Sequence, residues 1–262
     1  MAGTCYMIGA YSTQFKRWPE KSYKDLTRDA YLGVLGDAGY ENGDEIEFAW
    51  FSNCGMWVDD QASIRGQVCF TPLVREGLFP ERVPMINVEG GCASAHMALH
   101  GAWKDILSGQ SDVSLAIGVE KLFNRDAPEK TMAAYQAGID NLDPEQWREY
   151  YGAAGERVGV PFEPEPDRTI FMDTYAMQAR HHMNKYGTTA RQIATAAAKN
   201  HSNGALNPKA QYSFQLTPED VLADRPISPP LTRSMCSPVG DGAAAVILCS
   251  RDHLNGLPGA VR

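Results

Sequence analysis

Four short apolar segments, at residues 4–9, 46–52, 84–88 and 113–119, alternate with three stretches of helical periodicity. This β-α-β-α-β-α-β order constrains the fold more tightly than any other feature of the chain. Parallel strands cannot be joined by tight turns, so helical crossovers between strands imply a largely parallel sheet with helices on its faces. Segment 113–119, Val-Ser-Leu-Ala-Ile-Gly-Val, is nearly continuously apolar, as a strand buried on both faces requires. In the first helical pattern Leu26, Ala30, Leu32, Val34, Leu35 and Ala38 follow Ser22 and stop at Gly39. A second helix is expected over 62–77, with Pro72 interrupting its pattern. A third follows Cys92, where Ala95, Ala98, Leu99, Ala102, Trp103, Ile106 and Leu107 mark one face and Gly109 the stop. One more apolar strand is expected at 243–250.

Between the fourth strand and this last one the pattern breaks. Residues 121–168 are polar and aromatic and carry Pro128, Pro144, Pro161, Pro164 and Pro166. A structureless loop of that length is uncommon in a compact domain, so an inserted subdomain is expected. Helices near 172–186 and 189–203 would close it. The chain thus divides into a first part (1–120), an insertion (121–210) and a return to the first domain (211–262). Residues 259–262 read as the entry to a further element.

Composition narrows the function classes. The net charge of −8, with no basic stripe, weighs against a nucleic-acid partner, although a local pocket can still take an anion. No run approaches the ~20 apolar residues of a membrane span, and the N-terminus lacks the flank of a signal peptide. The six cysteines are scattered without a CxxC pair, so a reduced, cytoplasmic chain is expected. His181-His182 has no second ligand pair at useful spacing, and no metal site is expected.

The sharpest chemical feature is a strand, Gly90-Gly91, Cys92 and then a helix of small residues. The glycines allow a sharp turn and close ligand approach. A helix N-terminus offers unpaired N–H groups and a positive dipole end, which favour a thiolate and a developing oxyanion. A buried structural thiol is the competing reading of Cys92, and local context alone leaves the two level. His96, four residues on, is expected to make a polar contact within the fold. Cys54, after the second strand, reads either as a channel-lining residue or as a structural thiol.

Four ordered segments then carry a resemblance. Asn87-Val88-Glu89-Gly90-Gly91-Cys92-Ala93-Ser94-Ala95 resembles the nucleophile segment of the thiolase superfamily, especially thiolases related to sterol carrier protein. Val113 to Lys121, with its Gly-x-Glu ending, is similar to the strand that follows it. His201 to Pro208 resembles the family's Asn-rich turn. Arg225 to Leu231 and Cys236 to Ala245 resemble the approach to the last strand of the first half. The likeness spans residues 4–250.

The resemblance implies an α/β fold: a thiolase-like βαβαβαββ half with a mixed, mostly parallel five-stranded sheet and an inserted loop subdomain. The complete fold would be layered αβαβα. It implies that Cys92 accepts an acyl group from acyl-CoA, its own N–H forming part of an oxyanion site, and that no cofactor is permanently bound. Ser237 matches a residue that contacts the pantetheine arm of coenzyme A. Met172 is placed beside the same tunnel, with core packing as its alternative. Asp241, Gly242 and His201 are expected to be structural. Fatty, branched or steroid-side-chain acyl-CoA degradation by a homodimer is the implied setting.

The family draws its catalytic histidines and second cysteine from a second half, and none of the six histidines here matches those motifs. The base is therefore expected to lie outside residues 1–262, in a C-terminal half of the same protein or in a partner chain. Without that half, one helical layer would expose an apolar face. Two alternatives stand beside acyl transfer. One is a retro-aldolase of the same fold, which cleaves β-hydroxyacyl-CoA beside an OB-fold partner and characteristically lacks the nucleophile. The other is a non-catalytic acyl-CoA-binding subunit.

Overall fold

Every other side chain of a strand points to the same face, and here the alternation sorts the core into two clusters. In a computed structural model, which describes residues 4–257, the elements run β1 (Tyr6–Ser12), α1 (Tyr23–Ala38), β2 (Phe48–Ser52), α2 (Arg65–Arg75), β3 (Met85–Val88), α3 (Ser94–Ser108) and β4 (Val113–Lys121). Then follow α4 (Pro128–Gln136), α5 (Pro144–Val158), α6 (Ile170–Tyr186), α7 (Ala190–Gly204), α8 (Pro218–Ala223), β5 (Pro226–Ser228), β6 (Leu231–Thr232), β7 (Asp241–Cys249) and α9 (Arg251–Gly256). The expected element at 259–262 lies outside the described residues.

The chain forms two compact units, residues 4–123 with 240–257 and residues 124–239. The first holds a mixed five-stranded sheet in the order β1-β7-β4-β2-β3. β4-β2 and β2-β3 pair in parallel, whereas β7 is antiparallel to both β1 and β4. Four strands share one direction and β7 opposes them, which makes the sheet mixed. Val113, Leu115, Ile117 and Val119 of β4, with Ala243, Ala245 and Ile247 of β7, pack on Leu26, Tyr31 and Val34 of α1 and Phe70 and Leu73 of α2. Ala116 and Leu248 face the other way, against Ala98, Ala102 and Ile106 of α3. Each Val, Leu, Ile or Phe side chain among them taken fully out of water contributes roughly 1.5–3 kcal/mol, and each alanine less.

Two helix ends follow from local sequence. Ser22 caps α1 in a capping box with Asp25, and Gly39 closes it in the left-handed region. Helix α2 runs through Pro72 rather than breaking there; the proline forfeits one helical hydrogen bond in the last turn, while Phe70 and Leu73 beside it stay buried in the core. Asp241 is fully buried and accepts from the N–H groups of Trp18, Leu122 and Phe123, so its structural role agrees with the sequence reading.

The second unit is mostly helical. Within it Asp173 of α6 accepts from Arg168 and from the Ser228 hydroxyl at 3.0 Å. Thr232 donates to the Val221 carbonyl at 2.7 Å, and the His201 ring pairs with the Ser234 carbonyl at 3.0 Å. These bonds tie segment 211–239 to α6, α7 and α8, so the unit extends to 239 rather than stopping at the expected 210. Helix α7 also continues to Gly204, taking up half of what reads as an Asn-rich turn. No described helix is long and apolar enough to cross a membrane.

Candidate active site

β2, β3 and β4 run parallel; β2 and β3 stop where Ser52 lies beside Val88 on one side and Gly118 on the other, and β4 continues against β7 to Lys121. Asn53-Cys54 and Glu89 to Cys92 therefore leave the sheet at one edge, beside Glu120 on the last residues of β4. The carboxyl ends of parallel strands are where α/β folds place their ligands. A side chain at Gly118 would meet Ser52 Oγ at 2.5 Å and Ala95 Cβ at 3.4 Å, so its absence lets the start of α3 settle on the sheet.

Cys92 occupies a tight turn just ahead of α3. Gly91 sits at φ 57°, a conformation that glycine adopts without steric cost. The Ala93 N–H donates to the Gly90 carbonyl at 3.0 Å. The Ser94 hydroxyl accepts from the Gly90 N–H at 3.0 Å and donates to the Gly91 carbonyl at 2.7 Å. These bonds leave the Cys92 side chain exposed, one residue before the Ala93 cap. Among the described residues the N–H groups of Cys92, Ala95 and His96 have no hydrogen-bond acceptor. They form a cluster of free donors at a helix mouth, suited to an oxyanion. The thiols buried in the core are Cys69 and Cys249, not Cys92.

Around the turn lies a polar network. Arg65, at the start of α2, is buried; it donates to the Asn53 carbonyl at 2.6 Å and to a Glu89 carboxylate oxygen at 3.0 Å. Glu120 accepts from the N–H groups of Cys54 (2.9 Å) and Gly55 (3.1 Å) and from the Asn53 amide (3.0 Å). Burial pushes the Glu120 carboxyl above its ordinary range, and these donors partly offset the effect. The half-buried Cys54 thiol lies 3.9 Å from Glu89, and burial, reinforced by Glu120 and Glu89, pushes it up to about 11. Cys54 is thus a neutral thiol at pH 7, next to the site but a poor nucleophile.

His96 is exposed and its ring makes no hydrogen bond among the described residues, contrary to the polar contact expected of it. It stands on the first turn of α3, on the side away from the sheet. Ser237 and Met172 belong to the second unit. Ser237 is exposed and borders a cavity of about 200 Å³ with His201, Tyr212 and Cys236. Met172 is half-buried in the first turn of α6 and is not among the residues lining that cavity. Among the described residues no group of three or more His, Cys, Asp and Glu side chains is placed to hold a metal ion.

Sequence reasoning missed Arg65, Asn53 and the roles of Glu89 and Glu120. Glu89 and Glu120 stand inside the quoted motifs, so a signal was present. Arg65 reads in sequence as one more charge at a helix start; only the fold buries it.

Comparison with known proteins supplies the family. The thiolase N-terminal domain model matches residues 5–222. An acetyl-CoA acetyltransferase of Methanothermobacter thermautotrophicus is 32% identical over 249 residues, covering 94% of this chain and 57% of that protein. Sterol carrier protein 2 of Gallus gallus is 30% identical, over 95% of this chain and 42% of its own length. The chain therefore spans about half the length of the relatives it matches. Among solved structures, a chain of the Ltp2-ChsH2(DUF35) aldolase superposes with a TM-score of 0.66 at 22% identity, over 97% of this chain and 57% of that one, a likeness of fold. With its mixed five-stranded sheet and its matching residues 5–222, the chain belongs to the thiolase family and carries that family's N-terminal domain.

Proposed function

We propose that this chain is the nucleophile-bearing half of a CoA-dependent acyltransferase of the thiolase type, and that Cys92 carries the acyl group. The observation that supports this most is the exposed Cys92 beside three free N–H donors at the mouth of α3. In the degradative direction the Cys92 sulfur adds to the keto carbonyl of a 3-ketoacyl-CoA. The free N–H groups hold the resulting oxyanion, and the bond between C2 and C3 breaks. Acetyl-CoA leaves as a carbanion that takes a proton, and the acyl group stays on sulfur as a thioester. The thiol of free CoA then attacks that thioester, giving a shortened acyl-CoA and restoring Cys92. The base and proton donor for these steps come from a C-terminal half or a partner chain. Ser237 and Met172 contact the pantetheine arm. Fatty or steroid-side-chain acyl-CoA, a homodimer and a cytoplasmic setting complete the proposal.

Incubation of the full-length protein with acyl-CoA, followed by mass spectrometry of the Cys92 peptide, tests it. The peptide is expected to gain the mass of the acyl group, and Cys92→Ser to abolish both the adduct and turnover. An unmodified Cys92 peptide together with a fully active Ser variant would sink the idea. The aldolase among the similar structures raises a second reading, cleavage of β-hydroxyacyl-CoA. A carbonyl product formed without consumption of free CoA identifies that reaction, in which Cys92 has no covalent role.

A further inference from the structure

We infer that Arg65 is a positioning residue for the nucleophile turn, holding Glu89 neutralised and in place so that Cys92 can react as a thiolate. The inference rests on the reading of Cys92 as the nucleophile. Glu89 is the residue that opens the Glu89-Gly90-Gly91-Cys92 turn, and its carboxylate stands within three residues of the sulfur along the chain. A carboxylate there opposes a second negative charge on Cys92. One Glu89 oxygen is bound by the Arg65 guanidinium at 3.0 Å, and the other faces the Cys54 thiol at 3.9 Å. The same guanidinium grips the Asn53 carbonyl at 2.6 Å, so a single buried fork spans the loop after β2 and the turn after β3. Planar, two-point recognition of this kind suits arginine and not lysine.

The backbone ahead of Arg65 is consistent with a specified placement. Ile64, a β-branched residue, sits at φ 47° and ψ 35°, in the left-handed region that such residues avoid. Its side chain is largely exposed and gains little from packing. The strained residue starts α2 so that Arg65 points inward, under the turn. The other charged and titratable groups around the turn are Cys54 after β2, Glu120 at the end of β4 and His96 on the first turn of α3. Glu120 is engaged by Asn53, Cys54 and Gly55, and His96 faces outward. Arg65 is therefore the cation that answers Glu89.

The test is the pH dependence of Cys92 alkylation by iodoacetamide in the full-length protein, read by mass spectrometry of the Cys92 peptide, with Cys54 followed in parallel. Arg65→Met is expected to move the midpoint for Cys92 up by about one pH unit, roughly a tenfold slower reaction below the midpoint. Arg65→Lys keeps the charge and loses the fork, so it recovers part of the shift. The double variant Arg65→Met/Glu89→Gln removes both charges and returns the midpoint toward that of the parent. Glu89→Gln alone leaves the Arg65 charge uncompensated and lowers the midpoint; because Glu89 is half-exposed, this variant decides the matter even if Arg65→Met does not fold. A profile unmoved in Arg65→Met, or a midpoint unchanged or raised in Glu89→Gln, overturns the inference. Alkylation needs no substrate, so the two proposals fail separately. An acyl adduct with unmoved profiles removes the role of Arg65, and shifted profiles without any adduct remove the acyl-transfer reading.

Discussion

Glu120 shows how far one side chain can carry the geometry of an edge. Its partly buried carboxylate accepts from the Asn53 amide and from the backbone N–H groups of Cys54 and Gly55, and so fixes the loop after β2 beside the nucleophile turn. Burial raises its pKa above the ordinary 4.5. The folded protein then holds more protons at this group than the unfolded chain does, in the window from about 4.5 up to the raised value. Its contribution to stability accordingly falls as pH rises through that window and is recovered on acidification. Glu120→Gln keeps an acceptor and removes the titration, so the pH slope of stability above 4.5 should be shallower than in the parent. Denaturant unfolding at several pH values measures this, and identical slopes would show that another group carries the dependence. At this scale Cys92 was legible because a turn, two glycines and a helix start leave a local record. Arg65 was not, because its importance comes from burial and from two partners 12 and 24 positions away in sequence.

Elements were the best recorded level. Helix α1 is announced by Ser22, by its apolar spacing and by Gly39, and it forms between those marks. Ser22→Ala removes an acceptor for the Asp25 N–H and half of a capping box, and is expected to cost about 1 kcal/mol in denaturant unfolding. No change in stability would mean that α1 is held by its packing on the sheet alone. Pro72 reads in sequence as a break, yet α2 passes through it, since Phe70 and Leu73 are buried in the core. Burial of those side chains outweighs one lost hydrogen bond three residues from the helix end. The insertion was legible as such from its prolines. Its far boundary was not, because segment 211–239 is joined to α6, α7 and α8 by bonds such as Thr232 to Val221, which leave no local pattern.

At the scale of the whole chain, the first unit leaves an apolar surface. Met97 is 45% exposed and Trp103 42% exposed on α3, with Ile86 at 40% on the edge strand β3. Both side chains are more than half buried and Trp103 stacks on His100, so Met97→Lys with Trp103→Lys is expected to cost about 1–3 kcal/mol while lowering the binding of a hydrophobic dye. Loss of folding in that variant would mean that both side chains belong to the core. The sequence by itself determined the alternation of strands and helices, the inserted region and the turn that presents Cys92. Each of these rests on periodicity or on residues adjacent in the chain, which sterics and hydrogen bonding read locally. Only the tertiary structure decided that β7 runs against its neighbours, that the insertion continues to 239 and that Arg65 joins Asn53 to Glu89. Strand direction and partnership depend on which surfaces meet once the chain has closed on itself, and no local pattern encodes that choice.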